Sequence, residues 1–271
     1  NDSNGINISE TIFYQDGKPN DERNQNAKNT SKSDTYLIDV EYTEPITDSL
    51  RVRFGTDFNW QNSVNDQKTF DFDETAQEYS DLNLSLTNYT TSKQNSISPK
   101  VGISWQKSKF SLNVNSKTSI VEFDNHSFYL NQATDLNKRY ALPYGNAQFR
   151  YKFNRSKNLT FKYAYSNALP SATQLMPVAN LNNPLNSVIG NPDLNPIEKN
   201  SAGIDFKNFD FRTRSGYSVF IKGDYYNNDV VSTSIYDESG KRNTTYVNIS
   251  GTYSASIGGN WNQQIKKDAH T

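Results

Sequence analysis

"LRVRFGTDFNW" occupies residues 50–60. Laid out as an extended strand, it places Leu50, Val52, Phe54, Phe58 and Trp60 on one face. Arg51, Arg53, Asp57 and Asn59 fall on the other. Successive side chains of a strand point to opposite sides, so this is a ribbon with one greasy and one charged surface. Its length is informative. Strands of soluble proteins run about 5–6 residues, whereas a strand that crosses a membrane needs about 9–11.

The same period of two recurs along the chain. Ala147, Phe149, Tyr151 and Phe153 alternate with Asn146, Gln148, Arg150 and Lys152. Leu159, Phe161, Tyr163 and Tyr165 alternate with Thr160, Lys162 and Ser166. Tyr217, Val219, Ile221 and Tyr225 alternate with Ser218, Lys222 and Asp224. From Val247 through Ile249, Tyr253, Ala255 and Ile257 to Trp261 the pattern runs on. No segment has helical amphipathic spacing. Strands are expected near 6–14, 35–43, 49–61, 96–106, 109–123, 139–153, 158–167, 198–208, 212–227 and 244–263. The connections then alternate in length. Short ones fall at 44–48, 107–108, 154–157 and 209–211, and long ones at 15–34, 62–95, 124–138, 168–197 and 228–243. Short turns on one rim and long loops on the other are the arrangement of outer-membrane barrels. To keep that parity, the alternating segment Asp81–Tyr89 belongs in an external loop.

The predicted fold is therefore all-β: an antiparallel transmembrane β-barrel, with about ten strands of a larger barrel in this chain. Long loops lie outside the cell and short turns in the periplasm. Arg51, Arg53, Asp57, Lys222 and Asp224 are expected to face the lumen. Trp60 falls at the long-loop rim, and Trp105, Phe153 and Trp261 at the short-turn rim, where aromatic girdles belong.

Composition narrows the function classes. Aromatic residues make up 13% of the 271 residues although mean hydropathy is only −0.84. Disordered chains are poor in aromatics, so simple disorder does not fit. The formal net charge of −1 leaves no basic footprint for nucleic acid. There is no Cys, hence no disulfide and no thiolate chemistry, and only His126 and His270 supply imidazoles. The chain opens without a secretory signal, and no run of about 18 apolar residues is present to form a membrane helix. No Ser/His/Asp order, glycine-rich phosphate loop or HExxH occurs, so no catalytic residue and no cofactor is expected. Asp71, Asp73 and Glu74 in "DFDE" are a solvated acidic loop or, less simply, ligands for a hard cation. His126 beside Asp124 does not make a metal site.

One long connection stands apart. Residues 166–201 read "SNALPSATQLMPVANLNNPLNSVIGNPDLNPIEKNS". Proline fixes φ, removes a donor and keeps the preceding residue out of the helical region. Asn191-Pro192 and Asn195-Pro196 are thus extended or turn-like, and Gly190 can take backbone shapes other residues resist. The loop should be stiff, either as a cover for the rim or as a ligand-contacting surface. Its ordered elements Gln174-Leu175-Met176-Pro177, Asn183-Pro184-Leu185 and Gly190-Asn191-Pro192-Asp193-Leu194-Asn195-Pro196 resemble a signature of TonB-dependent outer-membrane receptors. This chain departs from that pattern after Pro196, where Ile197 precedes Glu198. The resemblance implies a receptor for a scarce nutrient in the bacterial outer membrane, surrounded by outer-membrane lipid. Gln174, Pro177, Asn183, Pro184, Gly190, Asn191, Pro192, Asp193 and Pro196 would lie on the ligand side. It also implies energy from TonB and an N-terminal plug. Residues 1–271 would be a partial barrel, with plug, TonB-contact segment and barrel ends elsewhere. A passive porin or surface adhesin, or a soluble carbohydrate-binding module, are the alternatives. A plug upstream would exclude the first pair; solubility without detergent would favour the module.

Overall fold

The computed structural model describes residues 2–13, 21–130, 132–177, 179–183, 186–210, 212–237 and 242–263. The strands are β1 (Asp2–Phe13), β2 (Asp21–Thr47), β3 (Leu50–Asp73), β4 (Glu78–Leu82), β5 (Asn88–Lys107), β6 (Phe110–Tyr129), β7 (Gln132–Lys152), β8 (Lys157–Ala168), β9 (Ala179–Asn183), β10 (Asn186–Ile189), β11 (Ile197–Asp210), β12 (Ser215–Asn227), β13 (Asp229–Tyr236), β14 (Arg242–Ile249) and β15 (Thr252–Asn262). One helical turn, α1, covers Ala172–Leu175, and a 3-10 turn covers Leu84–Leu86.

The main sheet runs β1-β2-β3-β5-β6-β7-β8-β11-β12-β15, with β4 added to the outer part of β3. Every pair in it is antiparallel. Among the described residues no pairing joins β1 to β15, so the curved wall is open. A smaller sheet, β13-β14-β10-β9, is built from the chain between β8 and β11 and between β12 and β15.

Register turns the period of two into two continuous surfaces. Phe54 lies between Tyr42 and Val101, and Val52 opposite Ile103. Farther along, Phe161 pairs with Phe149 and Ile204, and Ile204 with Ile221, which meets Ile257. These side chains are apolar and unburied: Ile221 is 52% exposed and Ile257 75%. The opposite face carries Arg53, Gly102, Asn115, Asn146, Ala164, Ser201, Asp224 and Ser254 in one row. Apolar outside and polar inside is the reverse of a soluble sheet, and it is what a lipid-facing wall requires. From Leu50 to Trp60 the rise is about 33 Å along the strand, or about 25 Å of membrane height at ordinary barrel tilt.

The short-turn rim carries a connected aromatic band. Ring centroids are 5.0 Å apart for Phe110–Tyr151, 4.8 Å for Tyr151–Phe153, 6.4 Å for Phe153–Phe206 and 5.9 Å for Phe206–Tyr217. Trp105 stacks on Phe110 at the same level. At the other end Trp60 stacks on Phe58 at 5.9 Å. The short turns close with local side-chain bonds. Thr47 Oγ1 accepts the N–H of Ser49 and Leu50, Asn154 Oδ1 those of Ser156 and Lys157, and Asp210 Oδ1 those of Arg212 and Thr213.

The structure redraws three stretches. Much of the long connections is strand: β2 starts at Asp21, β3 continues to Asp73, and β6 and β7 continue past 123 and before 139. Backbone pairing persists beyond the lipid, while the apolar face stops there. Residues 81–89, which the parity places in an external loop, are the end of β4, the 3-10 turn and the start of β5. The expected last strand, 244–263, is two. It breaks at Ser250–Gly251, where Gly251 has φ +89°; β14 joins the small sheet and β15 the wall. Such a φ is cheap only for glycine.

Side-chain orientation is directly testable. Spin labels at Val52, Phe54, Phe58, Val219, Ile221 and Tyr253 should be relaxed by a lipid-soluble quencher, and labels at Arg51, Arg53, Asp57 and Lys222 by an aqueous one. Equal aqueous quenching of both sets would contradict a membrane wall.

Candidate functional site: a proline-rich element docked at the barrel mouth

Buried apolar side chains concentrate at one place. Among the described residues, Phe123, Leu136, Leu175, Met176 and Leu194 form a single cluster, with Ala172, Val230 and Tyr246 against it. Phe123 and Leu136 belong to the polar face of the wall, high on β6 and β7, beyond the lipid-facing belt. Leu175, Met176 and Leu194 come from the 169–196 connection. The connection therefore folds inward and seats its apolar residues on the inner wall at the mouth.

Local chemistry shapes the element first. Ser171 caps α1: its Oγ accepts from Gln174 N at 3.3 Å, and Gln174 Oε1 accepts from Ser171 N at 2.8 Å. The Gln174 carbonyl then accepts the Asn191 N–H at 2.6 Å. That bond brings the two halves of the motif together. Gly190 makes the approach possible, since a Cβ there would lie 2.3 Å from the Met176 carbonyl oxygen and 2.9 Å from that of Gln174. Asn191 Oδ1 accepts from Asp193 N, and Asn191 Nδ2 donates to the Tyr246 carbonyl at 2.9 Å. Lys138 Nζ on β7 donates to the Pro192 carbonyl at 2.6 Å. Asn195 N donates to Asn248 Oδ1 at 2.8 Å, and Asn248 Nδ2 reaches the Asn195 and Asn228 carbonyls. Parallel pairing of β10 with β14 adds Ser187 against Asn243.

The candidate residues divide by position. Gln174, Gly190 and Asn191 hold the shape, and Pro192 offers its carbonyl to Lys138. Pro177 and Asp193 are exposed, and Pro196 is half-buried. Asn183 ends β9, and Pro184 lies outside the described residues. Lys138 and Asn248 are stitching residues that the sequence pattern did not single out.

Deeper along the inner wall lies a charged network. Lys100 Nζ is 2.8 Å from Asp57, 2.6 Å from Asp39 and 3.7 Å from Glu41. Lys117 approaches Asp57 at 3.7 Å. Arg53 donates to Asn115 Oδ1, and Asn115 Nδ2 donates to Asn146 Oδ1 at 2.9 Å. On β12, Asp224 pairs with Lys199 at 3.1 Å and accepts from Ser201 at 2.6 Å, while Lys222 lies over the Phe220 ring. Arg51 occupies the same face, exposed, at the short-turn end. Asp57 is thus held by Lys100 and Lys117, and Arg53 by Asn115, on neighbouring strands; Lys222 and Asp224, on β12, lie six strands along the sheet from β3. Lys100 carries the signal of its role in its place on the polar face, opposite Gly55.

Neither "DFDE" nor His126 gathers a metal set; among the described residues no cluster of three or more such ligands exists. Asp71 accepts from Gln25 and Asn83, Asp73 caps the turn N–H of Thr75 and Ala76, and His126 Nδ1 is 2.5 Å from Asp135.

The comparison with known proteins agrees with this architecture. The siderophore receptor PirA from Pseudomonas aeruginosa aligns over 95% of this chain with 9% identity and a TM-score of 0.42. P. aeruginosa FpvA, solved with heterologous pyoverdines, aligns over 96% with 13% identity and a TM-score of 0.50. This chain spans 62% of the PirA chain and 35% of the FpvA chain. The likeness to FpvA is one of fold. No curated protein matches the sequence. The profile of the outer membrane protein beta-barrel family matches residues 1–271. A lipid-facing belt, an aromatic rim, a polar lumen and that full-length match lead to one conclusion: the chain belongs to the outer membrane protein beta-barrel family and resides in the bacterial outer membrane.

Proposed function

We propose that this chain is the wall and outer mouth of a receptor that takes up a nutrient ligand in a TonB-dependent way. The observation that carries the reading is the inward docking of the 169–196 element, whose ordered motifs resemble those of TonB-dependent receptors. Outward, the element presents Pro177 and Asp193 to an arriving ligand; inward, Leu175, Met176 and Leu194 anchor it. The charged inner wall then faces the plug or the passage. In this reading residues 1–271 are a partial barrel, and the plug and the TonB-contacting segment lie in other parts of the protein. It is a binding and transport protein rather than an enzyme. PirA is a siderophore receptor and FpvA was solved with iron-loaded pyoverdine, so iron chelates are the first ligands to test.

Deleting residues 181–195 from the full-length receptor should abolish uptake while heat-modifiable gel migration shows a normal barrel. Unchanged uptake with an intact barrel would reduce the element to a rim cover. Orientation is checked separately. An epitope inserted after Asp66 should be labelled on intact cells, and one at Ser156 should not; reversed labelling would invert the topology.

A further inference from the structure

Two neighbouring short turns collect cations at the lipid edge. The β7–β8 turn supplies Arg155 and Lys157, and the β11–β12 turn supplies Arg212 and Arg214. The turns are joined, because Phe209 N donates to the Ser156 carbonyl at 2.8 Å. Lys107 and Lys109 flank the β5–β6 turn on the same rim. Five of these six side chains are exposed, and among the described residues none of the six forms an ion pair. Asp210, the carboxylate of this pair of turns, accepts the N–H groups of Arg212 and Thr213 and offsets one of the four positive charges. Those bonds, the Arg212 amide first, hold its carboxyl below the usual range. The surplus is local, since the whole chain has a formal net charge of −1.

Lys157 fixes the level of this patch. Its Nζ lies 5.0 Å from the Phe153 ring centroid and 5.3 Å from that of Phe206. Both rings belong to the aromatic band that marks the membrane boundary. The ammonium is therefore held at headgroup depth on the lipid-facing side, propped on two π faces and without a carboxylate. Arg155, Arg212 and Arg214 sit one step farther from the hydrocarbon, where a phosphate would be.

We propose that the joined β7–β8 and β11–β12 turns form a binding site for the phosphate headgroup of an anionic phospholipid. Lys157 and the aromatic band set the depth, and the three arginines supply the forked donors suited to phosphate oxygens. The site rests on how the barrel sits in the membrane and not on ligand uptake, so a receptor that fails the transport test can still pass this one.

The test uses the full-length protein, reconstituted in vesicles of phosphatidylethanolamine and phosphatidylglycerol, with lipid A added in a second set. Native mass spectrometry reads which lipid stays bound. Phosphatidylglycerol should be retained in preference to phosphatidylethanolamine, and the preference should weaken with salt. Arg155→Gln with Lys157→Gln should lower its retention about 25-fold, at about fivefold for each basic side chain at a membrane surface. Lys68→Gln with Lys93→Gln, toward the opposite rim, should leave retention unchanged. Equal retention of the two lipids, or equal loss in both double variants, would overturn the site. So would lipid A replacing phosphatidylglycerol as the molecule whose binding depends on Arg155 and Lys157. Heat-modifiable migration confirms that each variant is a folded barrel.

Discussion

Gly190→Ala should release the mouth element while leaving the barrel assembled. The added methyl would lie 2.3 Å from the Met176 carbonyl oxygen, 2.8 Å from that of Thr173 and 2.9 Å from that of Gln174. All three are backbone atoms of or beside α1, and none can swing away as a side-chain tip could. Relief requires α1 and the 190–196 segment to separate. Separation breaks the Asn191–Gln174 bond and lifts Leu194 off Leu175. Overpacking of this kind costs about 3 kcal/mol, a change of about a hundredfold in the docked-to-released ratio. The wall has no part in the clash, so heat-modifiable migration should stay normal. Amide exchange and protease cleavage within 170–196 should rise, and ligand uptake by the full-length receptor should fall with them. Gly145→Ala is the control, because a methyl there meets no atom closer than 3.9 Å. Protection of the element unchanged in Gly190→Ala would show that it does not dock through the Gln174–Asn191 contact.

The wall was legible because lipid imposes a simple rule. Leu50–Trp60 must show one face to hydrocarbon, and the alternation records it. Beyond Trp60 neither face of β3 meets lipid, so "QNSVNDQKT" lacks the signal although its backbone stays paired to Asp71 and beyond. Gly251 hid its break because it falls in step between Ile249 and Tyr253. The mouth element is visible as a motif, but the motif itself does not carry its direction of docking. The information is present in β6. Leu112, Val114 and Ile120 are apolar at even positions, and then Val121 and Phe123 are apolar at odd ones. The apolar side switches from lipid to lumen at that point. In β7 the same switch separates Ala147 and Phe149 from Leu136 and Leu142. A change of face at the upper end of adjacent strands announces that something apolar lands inside. Partners such as Lys138 and Asn248 carry no comparable mark, because a single hydrogen bond to a distant carbonyl leaves no periodicity.

The deepest test of the two-faced wall is a charge placed on its lipid side. Ile221 sits midway between Tyr217 and Tyr225, which bracket the belt on β12. Its cross-strand neighbours on this face are Ile204 and Ile257, and none of the three has a polar partner to offer an ammonium. Lysine at the bilayer midplane of a barrel costs about 2–4 kcal/mol, falling to about 0–1 near the interfaces. Ile221→Lys should therefore destabilise the folded barrel by that larger amount in urea titrations of the full-length protein in lipid. Tyr225→Lys, one belt edge away, should cost only the smaller one. Ser254→Lys is the matched control on the other face: it lies opposite Asp224, which can pair with the new charge. The lumen is wet and polar there, so that variant should be as stable as the parent. A depth-graded loss on the Ile221 side with none at Ser254 requires lipid on one face and water on the other. Were Ser254→Lys the destabilised variant instead, the faces would be reversed, and both the lumen assignment and the inward docking of the mouth element would fall together.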